Sequence, residues 1–222
     1  MNLVTYHLDR EGAERLLFLI HGWSAEQHHL AAYIPLIDPD ERVTAICPRS
    51  IHDLPDGDGA SWYERTEAGP DSTSFVQARD ALIELIATEA DRAGIPPQRC
   101  AVGGFSQGGF LAQAVVGAPA PATMRACGPC AAVWPRSTGW RSTSAPGDRR
   151  PALVQYGRRD AIIPAERTKA VATALEAAGW DCRVEGYDMA HSQTVEMMID
   201  ARQWLATVTA RAMPGGRAGR SR

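Results

Sequence analysis

Lysine is nearly missing from this chain: Lys169 is the only one, and arginine supplies the rest of the basic charge. That charge forms no excess. With 23 basic against 26 acidic residues the formal net charge is −3, which gives no basis for nucleic acid or an anionic membrane as the main partner. Long apolar runs are scarce as well. Near the N-terminus the longest, Leu16 to Ile20, is far too short to span a bilayer, and no basic start or small-residue cleavage site accompanies it. A cytoplasmic protein without stable membrane insertion is therefore expected. Cysteines number five, an odd count, and are scattered, which argues against a secreted disulfide scaffold. No spaced set of metal ligands appears, because His28 and His29 are adjacent and cannot face one ion from a regular element. No internal repeat is visible.

What is present is an alternation of short apolar runs with helical patterns. Residues 15–22, 43–48, 99–106, 124–133, 151–157 and 181–188 read as strands, apolar enough to be covered on both faces. Between them lie helices: 75–93 carries apolar residues near a 3.6-residue period, 166–178 ends at Gly179, a typical helix stop, and 192–212 carries Val195, Met198, Ile199, Trp204, Leu205 and Val208. This succession predicts an α/β fold, a mostly parallel central sheet flanked by helices, in a single domain over 1–212. Two irregular stretches, 49–74 and 134–150, are long enough to suggest function or disorder, and whether the first acts as a lid is left open by the sequence. Neither is long enough for a large cap domain. Residues 213–222, rich in glycine and arginine, read as an unfolded tail.

One serine stands out. In AVGGFSQGGFLAQAVVG, residues 101–117, Gly103, Gly104, Gly108 and Gly109 surround Ser106 at the junction of a strand and a helix. Gly104 to Gly108 fits G-x-S-x-G, in which a sharp strand-to-helix turn lifts the serine hydroxyl above the sheet. The residues on either side then approach closely, and glycine leaves the room they need. No lysine follows in the manner of a phosphate-binding loop. A serine nucleophile needs a base, and the base an orienting acid, in the chain order serine, acid, histidine. Only His191 lies beyond Ser106. Asp160, in a short turn after the strand at 151–157, is the favoured acid; Asp188 and Asp148 are its rivals. The oxyanion donors expected are the amides of Gln107, which follows the nucleophile, and Trp23, in the loop after the strand at 15–22. His21 is expected to order that loop rather than move protons.

LLFLIHGW, GGFSQGGF, QYGRRDAIIP and MAHSQTVEM, in that order, make the chain resemble the phospholipase/carboxylesterase family of α/β-hydrolases, which includes bacterial carboxylesterases and acyl-protein thioesterases. The likeness spans roughly residues 10–208 and extends to ASWYE, similar to the family's tryptophan segment. It implies the α/β-hydrolase fold, a triad of Ser106, Asp160 and His191, an oxyanion hole from Trp23 and Gln107, no metal or organic cofactor, and often a homodimer. The expected substrate is a small-molecule carboxylic ester, with Trp23 and Trp62 as substrate-contacting residues. Thioesterase or lysophospholipase-type activity and an inactive binding protein are the alternatives. Where the family has HGLGD, this chain has HGWSAEQHH, so the acyl pocket is expected to be narrower or differently shaped. Arg158 and Arg159 beside the acid suggest either anionic substrates or a solvated charge pair.

CGPC, at 127–130, spells a redox dithiol but lies inside an apolar strand-like run, where cysteines are usually inert.

Overall fold

The computed structural model describes residues 3–117, except 56, 58, 68, 97 and 98, together with 125–128 and 150–210. Among these residues the sheet has seven strands: β1 (Thr5–Leu8), β2 (Leu16–Ile20), β3 (Thr44–Pro48), β8 (Cys100–Gly104), β9 (Arg125–Gly128), β10 (Pro151–Gly157) and β11 (Asp181–Tyr187). Their order is β1-β3-β2-β8-β9-β10-β11. Pairing is parallel throughout except for β1, which runs antiparallel to β3 along the edge. β1 was not legible in the sequence, since TYHL is half-polar and half-exposed, as edge strands are. Two short hairpins, β4 (His52–Asp53) with β5 (Ala60–Ser61) and β6 (Arg65–Thr66) with β7 (Gly69–Pro70), organise the segment read as irregular.

Alternation along the strands divides the core between two faces. Leu16, Phe18 and Ile20 of β2 point to the layer of α3 (Ser72–Ala93), α4 (Gln107–Gly117) and α5 (Ala165–Ala177). Leu17 and Leu19 point to α1 (Gln27–Ala31), α2 (Ile34–Ile37) and α6 (Val195–Ala210). Each fully buried Leu, Ile or Phe contributes on the order of 2 kcal/mol. Both faces are covered, so uninterrupted apolar strands are what this sheet requires. None of the described helices is long and apolar enough to cross a membrane.

α3 begins three residues before the periodic pattern suggested. Its first turn, Ser-Thr-Ser, has no apolar member to reveal it, but Asp71 caps it by accepting a hydrogen bond from the Ser74 amide at 2.8 Å. Gly94, at φ 63°, ends it in the left-handed conformation that terminates helices. Cys127 lies on β9, while Cys130, Asp148 and the tail at 213–222 fall outside the described residues, as does most of 134–150.

Candidate active site

Four loops meet at the carboxyl ends of the parallel strands, the edge where α/β sheets bind ligands. They follow β2, β8, β10 and β11, and carry Trp23, Ser106, Asp160 and His191 respectively.

Ser106 sits at φ 52°, a strained conformation for a residue with a Cβ, between the end of β8 and the start of α4. The flanking glycines are a steric necessity. A Cβ on Gly104 would lie 2.5 Å from the backbone of Gly108, and one on Gly108 would lie 2.1 Å from the Ile20 carbonyl oxygen. Those contacts seat the bend directly against β2.

The Ser106 Oγ is 2.9 Å from His191 Nε2, and His191 Nδ1 is 2.7 Å from Asp160 Oδ2. Asp160 is buried, and its other oxygen accepts the amides of Ile162 at 2.9 Å and Ile163 at 2.8 Å. Both carboxylate oxygens are thus committed, which fixes the rotamer and aims Oδ2 at the imidazole. Phe105 lies against the His191 ring, with centroids 4.8 Å apart. Asp188 is turned away: exposed, it forms a 2.7 Å ion pair with Arg159 on the surface. That pair also accounts for Arg159, and neither Arg158 nor Arg159 lines the cavity described below.

A glycine overlooked in the sequence joins the acid and histidine loops. A Cβ on Gly157, the last residue of β10, would lie 2.5 Å from the Met189 carbonyl oxygen and 2.6 Å from that of Ala190. The amides of Arg158 and Arg159 bond across this contact to the carbonyls of Tyr187 and Met189, at 2.8 and 3.0 Å. Beneath, the Tyr187 hydroxyl donates to Asp200 of α6 at 2.7 Å and accepts from Gln155 at 2.6 Å, anchoring the strand end before His191.

Trp23 and Gln107 lie on either side of the serine. Gln107 opens α4, so its amide is among the helix's first donors, which have no intrahelical acceptor. Gly22 packs against the bend, its would-be Cβ 3.4 Å from Ser106 Cβ, and brings the Trp23 loop beside it. Among the described residues neither amide has a hydrogen-bond partner. The Gln107 side chain does something the sequence did not suggest. Its Oε1 accepts the Trp62 amide at 2.9 Å, and its Nε2 donates to the Tyr63 carbonyl at 2.9 Å and to Ser61 Oγ at 3.0 Å. One glutamine thereby ties the serine bend to the tryptophan segment.

Trp62 corrects the sequence reading. Expected to touch substrate, it is fully buried, and its indole donates to the His21 carbonyl at 2.9 Å. It supports the site from below. Trp23 does face the open space, at 49% exposure.

His21 holds the same loop from inside. Its Nε2 accepts the Ser50 amide at 3.1 Å, so Nδ1 carries the proton and donates to the Gly22 carbonyl at 2.7 Å. Burial pushes its pKa down to about 4 from 6.5. The unfolded chain therefore takes up a proton below pH 6.5 that the folded protein refuses until about pH 4. The neutral ring's contribution is intact above 6.5 and lost as pH falls through that window, amounting to about 3 kcal/mol. In urea titrations, the stability difference between wild type and His21→Gln should shrink by about that amount from pH 7 to pH 4. Parallel pH profiles for the two proteins would show that His21 is not the group responsible.

A cavity of about 770 Å³ opens from Ser106. Its lining includes the apolar residues Phe110, Ile163 and Val171, together with Trp23 and residues of the β6–β7 hairpin. The segment 49–74 thus contributes to the lining of the cavity, held by Tyr63, whose ring packs 5.0 Å from that of Phe75.

A model of the phospholipase/carboxylesterase family matches residues 7–209. Acyl-protein thioesterase 1 of Gibberella zeae is 27% identical over 157 residues, which cover 65% of this chain and 66% of that protein's length. A carboxylesterase from Mesorhizobium loti superposes with a TM-score of 0.72 at 20% identity, over 87% of this chain and 89% of that one. The Bacillus cereus carboxylesterase superposes with 0.80 at 15% identity, over 93% and 94%. At such identities the solved structures establish the α/β-hydrolase fold and nothing finer.

Proposed function

Because the chain belongs to the phospholipase/carboxylesterase family, we propose that it is a serine carboxylesterase cleaving carboxylic esters through an acyl-enzyme on Ser106. The observation that carries this reading is the continuous relay from Ser106 Oγ through His191 to Asp160, at 2.9 and 2.7 Å.

In the proposed reaction the Ser106 oxygen attacks the ester carbonyl carbon while His191 Nε2 takes its proton. Asp160 holds the proton on Nδ1 and stabilises the imidazolium that forms. The oxyanion is received by the Trp23 and Gln107 amides, and the start of α4 adds its dipole. Collapse breaks the bond to the alkoxy oxygen, to which His191 returns the proton. His191 then draws a proton from water, the resulting hydroxide attacks the acyl carbon, and Ser106 leaves with that proton. The alcohol is released first and the carboxylic acid second, with no net change at the enzyme.

Two observations favour thioesters as further substrates: the match to an acyl-protein thioesterase, and a cavity far larger than an acetyl group fills. The same chemistry serves both, since the sulfur of a thioester leaves as readily as an alcohol.

A fluorophosphonate should phosphonylate the protein once, at the peptide carrying Ser106, and p-nitrophenyl butyrate should be hydrolysed in proportion to unlabelled enzyme. Absence of labelling together with absence of turnover would overturn the proposal in favour of a binding protein.

A further inference from the structure

The cavity holds two cations that the ester chemistry does not use. Arg65 lies on the β6–β7 hairpin and Arg167 in the first turn of α5, so they reach the same cavity from two separate elements. Several other arginines engage carboxylates: Arg49 with Asp53 at 2.6 Å, Arg79 with Asp80 at 2.7 Å, Arg183 with Asp200 at 3.1 Å. Among the described residues Arg65 and Arg167 make no such ion pair. Among the described residues Glu67 is the one carboxylate lining the cavity, which leaves their ionised side chains there with an excess positive charge. Nearby Glu166 is already occupied by Lys169 at 3.1 Å, and Asp160 by His191 and two amides.

Resting on the ester-hydrolase reading of this same site, we propose that the natural substrate carries an anionic group, a carboxylate or phosphate, remote from the scissile carbonyl, and that Arg65 and Arg167 bind it. Phe110, Ile163 and Val171, the last on α5 itself, give the same cavity an apolar lining that accommodates the carbon chain separating the two ends. Guanidinium groups suit such an anion because their paired N–H donors match two oxygens at once. The cavity's size is consistent with this, since about 770 Å³ exceeds what a short neutral acyl chain requires.

The test compares kcat/KM for matched pairs in two arms. On the acyl side, p-nitrophenyl monoesters of glutaric and adipic acid are set against neutral p-nitrophenyl alkanoates of equal length. On the alcohol side, the butyrate ester of glycerol phosphate is set against that of glycerol. In one arm the anionic member should be preferred by about 10- to 100-fold, as charge-assisted hydrogen bonds allow. That preference should collapse in the Arg65→Gln/Arg167→Gln double variant and weaken with added salt. The responsive arm identifies which end of the substrate bears the charge. Equal or lower turnover of the anionic member in both arms, or a preference untouched by the double substitution, would overturn the inference. Because p-nitrophenyl butyrate is run alongside, those outcomes are distinct from failure of the esterase reading, in which no ester is turned over at all.

Discussion

Replacing Ser106 with alanine is expected to lower kcat for p-nitrophenyl butyrate by about 10⁶. The substitution removes the only atom that can form the acyl-enzyme, and the neighbouring donors can then merely polarise a bound ester toward water. A residual rate above background, on the order of 10³ over the uncatalysed reaction, should persist from those donors and from binding. Folding should survive. Alanine tolerates the left-handed conformation at φ 52° about as poorly as serine does, and the steric demands of the bend fall on Gly104 and Gly108. Thermal denaturation of the variant should therefore track wild type. A well-folded Ser106→Ala protein retaining more than about a tenth of the activity would rule out the acyl-enzyme, because no route without the nucleophile comes that close.

Much of this site was legible because its requirements are local. A turn tight enough to expose Ser106 demands small residues two positions away on each side, and that demand is written into five consecutive residues. Chain order then left a single histidine. The strands were equally readable, since a sheet covered on both faces needs unbroken apolar runs.

What escaped was set by contacts between distant segments. Gln107 bonds to Trp62 and Tyr63, about 45 positions earlier, and nothing in GFSQG specifies that reach. Gly157 resembles any glycine ending a strand until the loop carrying Met189 and Ala190 is laid across it. Trp62 was misread for the same reason. An aromatic residue in a loop near a nucleophile can face the ligand or the core, and only the position of the His21 carbonyl decides between them. The hairpins β4–β5 and β6–β7, two residues per strand, fall below any periodicity. The β6–β7 hairpin nevertheless carries Arg65 and other residues lining the cavity, so features that shape that cavity were the least visible ones.

The contrast between local and distant requirements is sharpest at Asp160, where one atom decides the outcome. Asp160→Asn is expected to reduce kcat by about 10⁴ with little change in KM. Two amides, from Ile162 and Ile163, donate to Oδ1, so an asparagine must place its carbonyl oxygen there. Its NH₂ group then occupies the position of Oδ2, 2.7 Å from His191 Nδ1, and can only donate. The imidazole is forced into the opposite tautomer, with its proton on Nε2 pointing at the Ser106 hydroxyl. A nitrogen already protonated cannot accept the serine proton, so the nucleophile goes unactivated although every heavy atom remains in place. Stability should change little, because the loop keeps both amide bonds, and fluorophosphonate labelling should slow in parallel with turnover. A variant that retains activity within about tenfold of wild type would transfer the orienting role to another carboxylate. Asp188, freed from Arg159, is the candidate that the double variant Asp160→Asn/Asp188→Asn would then expose.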